Sequence, residues 1–254
     1  MTFGTLAVAA TIAIAAGTAM VTGAATAAEI SVLGSPGTRA PYVILVAGFQ
    51  AESGHKVTTE WGSVVTVTKR VAGGETADVI MLPRPQIDDL IRQGRLRADT
   101  RVDVATSGIG VAIRAGAPRI DISSADGVRN ALRAARTIAF STGPSGVHIE
   151  NLIAKWGLTA EFKSKIVPPV PNVPIGEIVA RGDADIGFQQ VSELLPVTGI
   201  DYLGPLPPEI QETTLFAAAV HTDARNVAAA RALLAWLTAP EAAAAIRRTG
   251  MQTP

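Results

Sequence analysis

The chain has 254 residues, 48% of them hydrophobic, which is enough for one large domain or two lobes with a real core. Its 22 basic residues balance 22 acidic ones, which argues against a nucleic-acid footprint or a patch for an anionic membrane. There is no cysteine, so a disulfide framework, a thiolate metal site and a cysteine nucleophile are excluded.

Residues Met1 to Ala28 carry no charged side chain and are mostly Ala, Val, Ile, Thr and Gly. Ala25-Thr26-Ala27 forms an A-x-A cleavage pattern before the first acidic residue, Glu29. The stretch 1–28 is therefore expected to be a secretory signal peptide, although no lysine or arginine stands near Met1. A transmembrane anchor is the alternative, since the run is about long enough to span. Beyond it no apolar run is long enough to cross a bilayer. The mature part is expected to be exported and soluble.

From Glu29 strands and helices alternate, which predicts an α/β fold with a mostly parallel sheet flanked by helices. Ile30-Leu33 reads as the first strand, Pro41-Gln50 as a helix, Val57-Glu60 as a strand and Val64-Val71 as a helix. Ala77-Leu82 follows as a buried strand and Pro85-Arg92 as a short helix. Ile109-Arg114 is a strand, and Ser123 or Ser124 caps a helix running to about Arg136. Strand Thr137-Phe140 leads into a helix from Gly146 to about Trp156. Lys165-Val170 reads as a strand, Pro174-Arg181 as a helix, Ile186-Phe188 and Thr214-Val220 as strands. Helices Asp223-Leu237 and Pro240-Thr249 close the chain. The pattern breaks near Thr106-Ser107-Gly108 and near Gln211-Glu212, where a chain that leaves one lobe and returns would cross. Two lobes are expected, 29–108 plus 213–254 and 109–212, joined by two crossing strands.

Three strand-to-helix turns share one plan. Gly34-Ser35-Pro36-Gly37-Thr38, Trp61-Gly62-Ser63 and Ser141-Thr142-Gly143-Pro144-Ser145-Gly146-Val147 each bring hydroxyls and free backbone N–H groups to a helix N-terminus, an arrangement that holds anions. Gln189-Gln190 end a strand at the side where ligands of open α/β sheets sit. Ser35 and Ser63 are either ligand donors or helix caps serving their own backbone, and Thr38 and Ser145 pose the same question. Arg39 and Arg84 stand near strand ends. If either faces the cleft, a di- or tricarboxylate fits better than a tetrahedral oxyanion, because guanidinium binds carboxylate in a two-pronged way. Gly143-Pro144-Ser145-Gly146 lacks the spacing of a hydrolase nucleophile elbow. His55 and His221 match no metal spacing, and no cofactor is expected.

Gly73-Gly74-Glu75-Thr76-Ala77-Asp78-Val79-Ile80, Val179-Ala180-Arg181-Gly182-Asp183-Ala184-Asp185-Ile186-Gly187 and Leu233-Leu234-Ala235-Trp236-Leu237-Thr238-Ala239-Pro240-Glu241-Ala242 occur in an order that resembles the type II periplasmic solute-binding proteins, nearest the molybdate-binding family of ABC importers. The resemblance covers nearly all of the mature chain. It implies a two-lobed periplasmic binder, a monomer that closes on a small anion and hands it to a membrane importer component. Neither nucleic acid nor membrane insertion is implied. It also implies that Ser35 and Ser63, the Ser141 to Val147 turn and a tyrosine hydroxyl hold the oxyanion. The tyrosine position falls in Phe188-Gln189-Gln190, which has no tyrosine, and a carboxamide at Gln190 donates with a different reach. A smaller group on this scaffold interconverts trans- and cis-aconitate, so an isomerase is the alternative to a binder. In that case His148, in the first turn after the serine loop, where the helix dipole favours the neutral ring, would be the base for an allylic proton. An ordinary polar or supporting histidine is the competing reading.

Overall fold

The computed structural model describes residues 27–170 and 173–254. The expected signal segment therefore lies, but for Ala27 and Ala28, outside the described residues. Strand β1 (Glu29–Gly34), helix α1 (Arg39–Ser53), β2 (Lys56–Trp61), α2 (Val64–Ala72), β3 (Val79–Pro83) and α3 (Arg84–Arg92) alternate first. A long strand β4 (Val102–Arg114) follows, then α4 (Ala125–Ala134), β5 (Ile138–Phe140), α5 (Pro144–Lys155) and short α6 (Thr159–Phe162). Next come α7 (Ile175–Arg181), β6 (Ile186–Gln190), one-turn α8 (Val191–Leu194) and β7 (Ile200–Pro205). Strand β8 (Thr213–Val220) with α9 (Val227–Leu237) and α10 (Ala242–Arg248) completes the order.

The strands line up as β2-β1-β3-β8-β4-β6-β5, with β7 beside β4. Pairs β1–β2, β1–β3 and β5–β6 are parallel, while β8 and β4 pair antiparallel to their neighbours. The result is a two-lobed mixed α/β fold in which β4 runs through both parts. Burial follows position in the sheet: all of β3 is buried between β1 and β8, whereas edge strand β2 exposes Lys56, Thr58 and Glu60. Helices α1, α9 and α10 cover one face of the first part through Phe49, Leu233 and Ile246. Helices α2 and α3 cover the other through Val67, Ile87 and Leu90. In the second part, α4 and α5 pack Leu132 and Ile149 on Ile113 and Phe188, and α7 packs Ile178 and Val179 behind Ala139.

The two Ala-Asp motifs do the same structural job in the two parts. Asp78, just before β3, accepts from the N–H (2.8 Å) and hydroxyl (2.9 Å) of Ser31 in β1, and from the N–H groups of Arg225 (2.8 Å) and Asn226 (3.0 Å). Asp185, just before β6, accepts from the N–H groups of Arg136 (2.8 Å) and Thr137 (3.4 Å) ahead of β5, and pairs with the Arg136 guanidinium. Each carboxylate thus pins the N-terminal ends of two parallel strands. For Asp78, burial pushes the carboxyl up, but the donors from Ser31, Asn226 and Arg225 outweigh it and hold it below the usual range.

Some elements differ from expectation. Lys165-Val170 is no strand: only Ile166 bridges Ile138, because Pro168 and Pro169 bring no N–H to a ladder. Ile109-Arg114 is the second half of β4, which starts at Val102 and runs through Thr106-Ser107-Gly108, where a crossing is expected. Strand β7 was not anticipated; Pro205 and Gly204, at φ 133°, mask it. Ser124 is the cap of α4, accepting from the Gly127 N–H at 3.1 Å.

Asp78→Asn keeps the shape but turns an amide N–H toward N–H donors. The expected cost is about 2–4 kcal/mol of unfolding free energy, read from urea denaturation at neutral pH. Unchanged stability would remove the pinning role.

Candidate functional site

Register carries the strand ends to one place. At the C-terminal ends of the first parallel strands, Gly34 pairs with Trp61 and with Met81, and the Ser35 N–H donates to the Met81 carbonyl at 3.0 Å. Pro83 lies opposite Phe216, so Thr213 to Leu215 of β8 extend past this edge. There they pair with Thr106 to Gly108 of β4. One residue further, Ile109 pairs with Gln190 at the end of β6, and β6 aligns Phe188 with Phe140 of β5. The turns after β1, β2, β3, β5 and β6 therefore leave the sheet on the side of the crossing at Ser107–Ile109 and Thr213–Thr214. Gln211 clamps that crossing, accepting from the Ile109 N–H (2.8 Å) and donating to its carbonyl (3.0 Å).

A cleft of about 830 Å³ opens here, in the size range of small-molecule sites. One wall is the start of α2 and α3 (Val64, Val65, Pro83, Arg84), the other the start of α5 (Thr142 to Pro144, Val147, His148), with Glu212 to Leu215 as its floor. Helices α2, α3 and α5 have no acidic residue in the first turn, and α3 and α5 have no side-chain cap. Their positive ends are left for something else to neutralise.

The candidate residues divide into groups. Ser35 is 1% exposed, and its hydroxyl is buried without any hydrogen-bond partner; like Thr38, Ser63, Ser141, Ser145, Gly146 and Gln190, it lies in a turn or strand end beside the cleft and is not among the lining residues. Thr38 is fully buried and its hydroxyl donates to the Ser35 carbonyl at 3.3 Å, so it shapes the turn. Ser63 caps α2, accepting from the Thr66 N–H at 3.1 Å, and lies next to the lining residue Val64. Ser141 and buried Ser145 share a hydroxyl contact of 3.1 Å, and Ser141 accepts from Gly143. A Cβ on Gly146 would stand 1.5 Å from the Ser141 carbonyl oxygen, so only glycine lets α5 start against this turn. The Val147 N–H is spent on the Gly143 carbonyl, while its side chain, 50% exposed, lines the cleft.

Gln190 is buried; its amide nitrogen donates to the Thr214 hydroxyl at 2.9 Å and its oxygen has no partner. Arg39 is exposed and sits over the Trp61 ring, 5.9 Å from its centroid, and is not among the cleft residues. Arg84 does line the cleft. His148 lines it too, but both ring nitrogens face acceptors: Nε2 the Ile210 carbonyl (2.7 Å), Nδ1 the Glu212 carboxylate (2.6 Å). A backbone carbonyl can only accept, so Nε2 is the donor to Ile210, and Nδ1 is covered by Glu212. Sequence reasoning missed Thr214, Glu212 and Gln211, which meet their partners only across 24 to 102 positions of chain. Among the described residues no group of His, Cys, Asp and Glu is arranged to hold a metal, and no helix is long and apolar enough to cross a membrane.

Strands whose ends surround an interlobe cleft at a crossing define a solute-binding protein. Residues 30–252 match the bacterial extracellular solute-binding protein family, and the chain belongs to it. It is 38% identical over 187 residues to an aconitate isomerase of a Pseudomonas species, covering 73% of this chain and 71% of that one. It is 27% identical over 241 residues to the molybdate-binding protein ModA of Azotobacter vinelandii, covering 93% and 95%. The solved periplasmic molybdate-binding protein of Azotobacter vinelandii superposes with a TM-score of 0.75 at 22% identity, over 89% of this chain and 99% of that one.

Behind the cleft one carboxyl is out of its ordinary range. Burial pushes Glu193 from 4.5 up to about 7, only partly offset by the Gln189 amide that donates to it at 2.7 Å. The folded protein keeps a proton that the unfolded chain has lost above 4.5, so stability falls as pH rises toward 7 and is level beyond. Glu193→Gln is expected to remove about 1–3 kcal/mol of that fall between pH 5 and pH 8, measured by urea denaturation of both proteins at both pH values. Parallel pH slopes would rule the group out.

Proposed function

We propose that the chain is the exported, periplasmic binding component of an ABC-type importer. In this reading it holds a small oxyanion or small carboxylate between lobes 29–108 plus 213–254 and 109–212. The observation that carries the reading is the Ser35 hydroxyl. A buried hydroxyl without a partner costs about 1–3 kcal/mol, and a chain keeps such a cost where a ligand removes it. The other strand-to-helix turns carry the Ser63 and Ser141–Ser145 hydroxyls and helix N-termini without acidic residues, donors suited to negative charge. Closure of the lobes follows if the guest makes more contacts in the closed form than in the open one.

The second reading, an isomerase acting on aconitate, is favoured by the 38% identity to the Pseudomonas enzyme. It requires a proton acceptor beside a C–H bond, and His148 with both nitrogens engaged does not meet that need. NMR of the protein mixed with trans-aconitate separates the two: an unchanged spectrum together with ligand-induced thermal stabilisation supports the binder, and appearance of the cis isomer supports the enzyme.

Ser35→Ala gives a signature of opposite signs. The unliganded protein is expected to be as stable as the parent or slightly more so, while the ligand found in a thermal-shift screen of molybdate, tungstate, sulfate, phosphate and small carboxylates binds about 1–3 kcal/mol more weakly by calorimetry. Undiminished affinity would remove Ser35 from the site.

A further inference from the structure

Arg84 is the first residue of α3 and faces the start of α5 across the cleft. Its guanidinium makes one hydrogen bond among the described residues, from Nη1 to Asp103 Oδ2 at 3.2 Å. Asp88 Oδ2 stands 3.7 Å from Nε, a charge contact beyond hydrogen-bond length, and the other Asp88 oxygen is taken by Arg101 at 2.8 Å. The Nε–Nη2 edge, the fork that matches a carboxylate, therefore makes no hydrogen bond. The hold from Asp103 is one-pronged as well: its Oδ1 is buried and has no partner. Such half-exposed pairs contribute little to stability, so their loss costs the protein little. The nearby cation on this wall, Arg92, is paired with Asp89 on its own helix.

We infer that Arg84 is a second anion subsite: its open Nε–Nη2 edge receives one carboxylate of a guest that carries at least two, and Asp103 and Asp88 hold the guanidinium in place until it does. This rests on the anion reading of the cleft and narrows it to a class, di- and tricarboxylates. The α5 start, with the serine turns beside the cleft, takes one charged end and Arg84, on the opposite wall, takes another. A single tetrahedral oxyanion reaches only the first set. Asp103 on Nη1 and Asp88 near Nε also set the strength of this subsite, because their negative charge opposes the incoming carboxylate.

Calorimetry with trans-aconitate, citrate and molybdate tests this on the parent protein, Arg84→Gln, Arg84→Lys and Asp103→Asn, with thermal melts as the folding control. Arg84→Gln is expected to weaken a tricarboxylate by about tenfold or more and leave molybdate unchanged. Arg84→Lys, which keeps the charge but not the fork, is expected to fall between the two. Asp103→Asn is expected to strengthen the tricarboxylate several-fold. A parent that binds molybdate but no tricarboxylate, a tricarboxylate affinity unmoved by Arg84→Gln, or one not strengthened by Asp103→Asn overturns this inference and leaves the anion site standing. A parent that binds none of the three overturns the site as well.

Discussion

The structure depends on two carboxylates at the end of the molecule away from the cleft. Parallel strands have evenly spaced, slanted hydrogen bonds and no hairpin to set their stagger, so something else must fix it. Asp78 does this for β1 and β3, and Asp185 for β5 and β6. With the starts of the strands level, the ends at Gly34, Trp61 and Met81 come out level too, as do Phe140 and Phe188. The turns that follow then share one rim. At the pinned end each carboxylate satisfies several donors; at the other end donors are left over, the Ser35 hydroxyl above all. Stability is built at one end of the strands, which allows the incompletely bonded end to serve a ligand.

The second constraint is the crossing. Strand β4 is shared by both parts, and β8 lies beside it just where Gly108 gives way to Ile109. The short helix α8 ties the lobes at the same level. Gln190 at its start donates to Thr214, and the buried Ser192 hydroxyl donates to the Gly37 carbonyl at 2.6 Å. A Cβ on Gly37 would come 2.4 Å from the Phe216 ring, so the Ser35 turn packs directly on β8. The turn that carries the unpartnered hydroxyl is thereby held to both β8 and α8. A Thr38 hydroxyl bonded inside that turn braces its shape.

Much of this was legible because it is local. The alternation of strands and helices, the serine turns and the Ala-Asp motifs are each contained in about ten residues, and the family resemblance built on them agrees with the match over 30–252. Where long-range pairing decides, the sequence misled. The strand read from Ile109 begins at Val102, because β8 supplies a ladder for Val102 to Gly108. Lys165-Val170 has strand chemistry yet forms none, because its prolines cannot join one. The two arginines were equivalent on paper. Arg39 turned to the Trp61 face and Arg84 to the cleft, and nothing within either turn tells them apart. His148 stayed open between a base and a supporting histidine because Ile210 and Glu212 are more than sixty positions away in the chain.

The gap between a binder and an isomerase on this scaffold is narrow in structure and wide in chemistry. Binding asks for donors toward negative charge, and neutral hydroxyls and N–H groups supply them without moving a proton. Shifting a double bond asks for a group that takes a proton from carbon and returns one, which requires a lone pair free at the right moment. Among the groups near the cleft, His148 gives its nitrogens to Glu212 and Ile210. Glu193 has a carboxyl near the useful range, but the Gln189 amide holds it, and Gln189 is in turn fixed by the Ile175 and Gly176 N–H groups at 3.0 and 3.4 Å. A catalyst on this frame would first have to break one of those bonds. Release of the Glu212 contact when the lobes close is the least costly way, since that carboxylate is the exposed partner of the pair. What divides the two accounts is therefore whether a nitrogen of His148 is free to take a proton.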